Sequence, residues 1–80
     1  MPTAFVLINS DPEVEEELIE ELVKIEGVKE VNSVYGIYDF IVKVEADSLE
    51  ELKSAITWKI RRLRKVRTSA TMIVAQSKKP

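Results

Sequence analysis

The sequence predicts an α+β chain with the element order β-α-β-β-α-β. Three observations predict it: two segments with apolar residues at helical spacing, a central pair of runs joined across a glycine, and β-rich runs at both ends.

Thr3 to Ile8 (TAFVLI) is a short, nearly continuous apolar run rich in β-formers. Asn9-Ser10-Asp11-Pro12 follows, which predicts a helix start with Ser10 or Asp11 as N-cap and Pro12 in the first turn. Val14, Leu18, Leu22 and Ile25 then recur at helical spacing, with Glu15, Glu16, Glu20 and Glu21 on the other faces. Gly27 is the expected stop. Val28 to Tyr35 (VKEVNSVY) reads as a polar strand, Gly36-Ile37 as the turn, and Tyr38 to Ala46 (YDFIVKVEA) as a clearer strand. In the latter, Tyr38, Phe40, Val42, Val44 and Ala46 share one face, and Asp39, Ile41, Lys43 and Glu45 the other. Ser48 and Glu51 stand at capping-box spacing. Leu49, Leu52, Ile56 and Leu63 mark the buried face of a second helix, with Ala55 and Ile60 at its margins. Val66 to Gln76 (VRTSATMIVAQ) is the final strand, and Lys78 to Pro80 a frayed tail.

This order is the split β-α-β arrangement called ferredoxin-like: a four-stranded antiparallel sheet with two helices on one face, in a single domain spanning residues 1–80. Two helices cover one face only. The first strand offers Phe5 and Leu7 to one face and Ala4, Val6 and Ile8 to the other. In the last strand, Val66, Ala70, Met72 and Val74 oppose Ile73 and Ala75. A solvated face would alternate with polar residues, so the helix-free face is expected to meet the same face of a second subunit, as a dimeric α/β sandwich.

Composition narrows the chemistry. The 80 residues include no cysteine and no histidine, which excludes disulfides, thiolate metal sites, histidine bases and nearly all transition-metal sites. No metal and no cofactor is expected. No apolar run approaches the ~20 residues of a membrane span, and the N-terminus lacks the basic region of a signal peptide, so a cytoplasmic location without membrane association is expected. Charged residues make up 32% of the chain, with only two glycines, a thermophile-type composition.

Charge is divided along the chain. Residues 1–57 hold all 14 acids and four lysines; residues 58–80 hold eight basic residues and no acid. The run KIRRLRKVR has the look of a nucleic-acid patch. Basic residues at a helix C-terminus also complement the helix dipole, the acidic first helix is a natural partner within or between subunits, and the net charge is −2. Direct nucleic-acid binding is therefore not expected. Nor is catalysis: Gly27 and Gly36 are isolated, no Ser or Thr has a histidine partner, and the paired glutamates read as solvated helix charges. Asp39, beside Gly36 and flanked by Tyr35 and Tyr38, is the acid best placed to bind a ligand amine; it could equally cap the turn.

With Gly36-Ile37-Tyr38-Asp39, the following FIVKVEADSLEEL and the closing Val66 to Val74, the chain resembles the effector (RAM) domain of the Lrp/AsnC transcription regulators over essentially its whole length. The hallmark is a G-x-[YF]-D turn between the second and third strands and a final strand of the V-x-x-T-x-T type. Full-length regulators of this family add an N-terminal helix-turn-helix domain. This chain begins at the first effector strand with Met1, so a stand-alone effector domain is the expectation.

The resemblance implies dimerisation through the sheets, assembly of dimers into octamers or decamers, and binding of a small amino acid between subunits. Carried over by position, Gly36, Tyr38 and Asp39 match the turn and Thr68 and Thr71 the final strand, with Ser69 between them. Asp39 can accept from an ammonium; threonine hydroxyls can donate to a carboxylate. The implied function is an amino-acid-binding regulatory module that acts on transcription indirectly, through oligomer assembly or a partner regulator. Two alternatives stay open: a ligand-free interaction module that forms mixed assemblies with full-length Lrp-like regulators, and an ACT-type amino-acid-binding domain, which usually carries a glycine after the first strand where this chain has Asn9-Ser10-Asp11-Pro12.

Overall fold

A computed structural model describes all residues, 1–80. The elements are β1 (Thr3–Asn9), a 3-10 turn (Pro12–Val14) leading into α1 (Glu15–Val23), β2 (Val28–Ser33), β3 (Phe40–Glu45), α2 (Leu49–Ser54) continuing as a π-helix (Ala55–Ile60), and β4 (Thr68–Ile73). The sheet order is β2-β3-β1-β4, antiparallel throughout. The expected βαββαβ order and four-stranded sheet are therefore present. No helix is long and apolar enough to cross a membrane.

The core lies between the sheet and the helices. Alternation in β1 and β3 sends Ala4, Val6 and Ile8, and Phe40, Val42 and Val44, to the helix side, all fully buried. Leu18 and Leu22 of α1, Leu52, Ile56 and Ile60 close over them. Register makes this a single layer, because Val6 stands opposite both Val42 and Thr71. The other face carries Phe5, Leu7, Ile41, Ala70 and Met72, with Leu7 directly opposite Ile41 and Ala70. No helix covers it.

Several boundaries and caps differ from the sequence reading. Neither Ser10 nor Asp11 caps the first helix through its side chain: the 3-10 turn intervenes, and the Asp11 carboxylate accepts from Arg67 Nη1 at 3.0 Å instead. Ser48 does cap, its Oγ accepting from Glu51 N–H at 3.1 Å. The hairpin loop is wider than Gly36-Ile37: β2 ends at Ser33, β3 starts at Phe40, and Val34 N–H donates to the Asp39 carbonyl at 2.9 Å to close the loop. β4 is shorter than Val66 to Gln76, and Val66 sits in the preceding turn against the helix-side core.

In the second helix Leu49 is 45% exposed, while Ala55 and Ile60 are buried. Leu52, Ile56 and Ile60 recur every four residues, a spacing that drifts about 40° per step on an α-helix. The wider π turn, marked by Arg61 N–H donating to the Ile56 carbonyl at 2.9 Å, brings them back into line.

Both glycines have positive φ, +98° at Gly27 and +151° at Gly36. A Cβ at Gly27 would lie 2.9 Å from the Glu45 carbonyl oxygen, whereas one at Gly36 would meet nothing within 4 Å. Gly27→Ala is accordingly expected to cost about 1–3 kcal/mol of backbone strain plus the clash, and Gly36→Ala the strain alone. Urea midpoints of the two variants check the order; equal losses would remove the steric role of Gly27.

Candidate functional site

At one end of the sheet the 34–39 loop folds against the β1–α1 junction. Asp39 organises it. Its N–H donates to the Ile8 carbonyl at 2.9 Å, its carbonyl accepts from Val34, and its Oδ2 accepts from Ser10 N–H at 2.9 Å. The half-buried carboxylate thus does cap a junction, and its second oxygen makes no hydrogen bond within the chain. Ser10 is 7% exposed, and its Oγ is buried without a partner. Sequence reasoning considered Ser10 only as a helix cap; its contact with Asp39 spans 29 residues and no local pattern reveals it.

Around Asp39 the loop is open. Gly36 is exposed, Tyr38 half-buried, and Tyr35 and Ile37 project fully into solvent. β4 begins at the same end of the sheet, on the far side of β1. Asn9 Nδ2 donates to Thr68 Oγ1 at 3.1 Å across the Asn9–Thr68 pair. Register then separates the β4 candidates. Thr68 lies on the helix-free face, while Ser69 opposite Ile8 and Thr71 opposite Val6 lie on the helix face. Thr71 is also three residues further along, roughly 10 Å at the rise of a strand.

One chain therefore brings Gly36, Tyr38 and Asp39 together, with Thr68 and Ser69 about two strand spacings, or ~10 Å, away, and Thr71 apart from both. A cavity of about 650 Å³ lies at the opposite end of the sheet among Glu26, Gly27, Glu45, Asp47, Glu50 and Lys59, and none of the six expected site residues lines it.

The basic stretch is partly absorbed by the acidic N-terminal half. Lys65 Nζ lies 2.6 Å from Glu21 Oε2 and 3.7 Å from Glu17 Oε2, and Arg67 Nη1 is 3.0 Å from Asp11 Oδ1. The hydrogen bond to Glu21, aided by the charges of Glu21 and Glu17 and opposed by partial desolvation, holds the Lys65 ammonium above its ordinary value of 10.5.

The amino-acid sequence from residue 3 to residue 80 matches the model of the Lrp/AsnC ligand binding domain. The chain belongs to this family. It is 39% identical over 74 residues to an uncharacterized HTH-type transcriptional regulator of Pyrococcus furiosus, covering 89% of this chain and 49% of the relative. The chain thus spans about half the length of that relative. Among solved structures it superposes on the crystal structure of FFRP-DM1 with a TM-score of 0.87 at 44% identity, over 92% of this chain and 99% of the other. A protein from Thermus thermophilus gives 0.91 at 32% identity, over the whole of both chains. The family is one of ligand-binding domains and the Pyrococcus relative is a transcriptional regulator, a regulatory and not an enzymatic class, and Pyrococcus and Thermus accord with the thermophile-type composition.

Two tests follow from this geometry. Asp39→Ala orphans the Ser10 N–H and is expected to cost about 1–3 kcal/mol, whereas Ser10→Ala deletes an unpartnered hydroxyl and leaves the chain at least as stable. Thermal melts of both check this; equal destabilisation would mean that the Ser10 hydroxyl has a partner. Because the folded-state value of Lys65 is raised, its ion pair stabilises fully below the unfolded value and is lost as pH climbs through and above 10.5. Melting temperature should fall over that alkaline window more steeply in the native chain than in Lys65→Gln, and parallel curves would dismiss the contribution.

Proposed function

We propose that the chain is an amino-acid-sensing regulatory module that acts on transcription indirectly, through its assembly state or a partner regulator. The observation that carries this reading is Asp39. A carboxylate pinned through one oxygen by a backbone N–H, with the other left unbonded beside an exposed glycine loop, is suited to receive a ligand ammonium. Gly36 lets a ligand approach the backbone closely. Thr68 and Ser69, or the same residues of a neighbouring subunit, would supply donors for the ligand carboxylate. Thr71 joins such a site only from a neighbour.

Two further observations support it. A transcriptional regulator from Neisseria meningitidis solved as an L-Met complex shares the fold, with a TM-score of 0.86 at 12% identity over 99% of this chain and 53% of the other. The helix-free sheet face, with Phe5, Leu7, Ile41, Ala70 and Met72 in register, fits a homodimer formed sheet to sheet. Ligand bound between dimers would favour one assembly over another by linkage, giving octamers or decamers a regulatory meaning.

The same apolar face favours a second reading, a ligand-free module that forms mixed assemblies with full-length Lrp-like regulators. Titration calorimetry with single amino acids separates the two. The native chain should bind at least one of them, and Asp39→Asn, which keeps an acceptor for Ser10 N–H but removes the charge, should lose binding at least tenfold, about 1.4 kcal/mol, while remaining dimeric. Unchanged affinity in Asp39→Asn removes Asp39 from the site. No binding by the native chain, together with recovery of an HTH-bearing partner from cell extract, establishes the second reading.

A further inference from the structure

The helix layer carries two exposed ridges of opposite sign. On α1 and the turn before it, Glu13, Glu16 and Glu20 follow one another at helical spacing, and Val23, 57% exposed, extends the row. On the π-helix and its exit, Trp58, Lys59, Arg61, Arg62 and Arg64 are exposed. Trp58 is 61% exposed, with the Arg62 guanidinium 5.4 Å from its ring centroid. Lys65 bridges to Glu17 and Glu21, so the two ridges lie side by side on one face. Lys59 also lines the acid-rich cavity, while the other charges of the ridges stand free of ion pairs. Glu13, Glu16, Glu20, Lys59, Arg61, Arg62 and Arg64 have no ion-pair partner within the chain, unlike Lys65, Arg67, Glu17, Glu21 and Asp11.

We infer that this helix face docks on the helix face of a second copy of the chain. A two-fold axis lying in the interface, parallel to the ridges, sets each acidic ridge on the partner's basic ridge, and the reciprocal contact follows by symmetry. Isolated surface ion pairs contribute little, but here exposed Trp58 stands among arginines, the residue types on which interface energy concentrates, and exposed Val23 adds apolar area at the end of the acidic ridge. The molecule measures 36 × 28 × 17 Å, and its broad faces suffice for the ~800 Å² per partner of a stable interface. A nucleic acid fits less well. The glutamate ridge beside the basic one repels phosphates, the net charge is −2, and Arg62 already covers the Trp58 ring face on which a base would stack. This contact is separate from the sheet face and from Asp39, and holds whether or not the chain binds an amino acid.

Charge reversal tests it on the whole chain. Arg61→Glu/Arg62→Glu makes both ridges acidic, and Glu16→Arg/Glu20→Arg makes both basic. By sedimentation velocity the native chain should show at least twofold greater mass at about 50 mM salt than at about 500 mM, because a sheet-to-sheet dimer carries two helix faces and exposed charges are screened over less than ~10 Å at the higher value. Each variant alone should stay at the high-salt mass, whatever surface holds that species together. An equimolar mixture should regain the low-salt mass of the native chain, with a blue shift of the emission of Trp58, the single tryptophan. The substituted side chains are exposed and form no ion pair, and far-UV circular dichroism confirms that the variants fold; Trp58→Ser, expected to weaken the low-salt assembly, gives a second probe. Salt-independent mass in the native chain, or failure of the mixture to assemble, overturns the inference. So does retardation of duplex DNA that is lost in Arg61→Glu/Arg62→Glu without rescue by mixing.

Discussion

Strand β1 is hydrogen-bonded along both edges, and every second side chain on it is completely buried. The rest of the molecule depends on this constraint. Ala4, Val6 and Ile8 can be buried only if β3 and β4 present matching residues at the same level, and a one-residue slip would turn all three to the helix-free side. The register so imposed sets Phe40 beside Ile8, which puts Asp39 at the end of β1, within reach of the Ser10 amide. The position of the candidate ligand carboxylate is thus a consequence of core packing next to it in the chain. The same register sends Phe5 and Leu7 outward together with Ile41, Ala70 and Met72, so one face of β1 is buried under the helices while the other is apolar and uncovered.

Electrostatics is layered over that frame. The chain separates its charges by sequence, and the fold brings them back together only in part. Lys65 and Arg67 reach acids 44 and 56 residues away, closing the segment before β4 onto α1 and the turn ahead of it. These pairs explain why a run that looks like a nucleic-acid patch serves first to fasten the end of the chain. The cations further back, on the π-helix and its exit, make no ion pair within the chain. A helix layer with one acidic and one basic ridge is self-complementary under a two-fold axis, a property of neither helix alone.

The sheet and its core were legible because periodicity encodes them. Alternation in TAFVLI and YDFIVKVE, and the spacing of Leu18 and Leu22, depend on which side of an element faces apolar neighbours, and this is written locally. Local rules were weaker wherever a distant group competed. Asp11 looked like a cap, but Arg67 took its carboxylate. Ser10 looked like a cap, but its hydroxyl meets no helix amide, and the residue serves instead through its N–H, which donates to Asp39. Leu49 matched the buried stripe, yet a π turn, which no residue pattern in AITWKI announces, placed Ile60 in the core instead.

The candidate site divides along the same line. The GIYD tetrapeptide and the family that it marks were readable, because the glycine and the acid follow each other in the chain. That Thr68 and Thr71 fall on opposite faces of the sheet follows from strand alternation alone. By itself the sequence determined the element order, the buried face of each central strand, the absence of thiol and imidazole chemistry and the segregation of charge, since all of these rest on near neighbours or on composition. Tertiary structure alone decided which oxygen of Asp39 is tied and which is free, which cations are paired, and how the ridges lie side by side, since each depends on groups brought together from far along the chain.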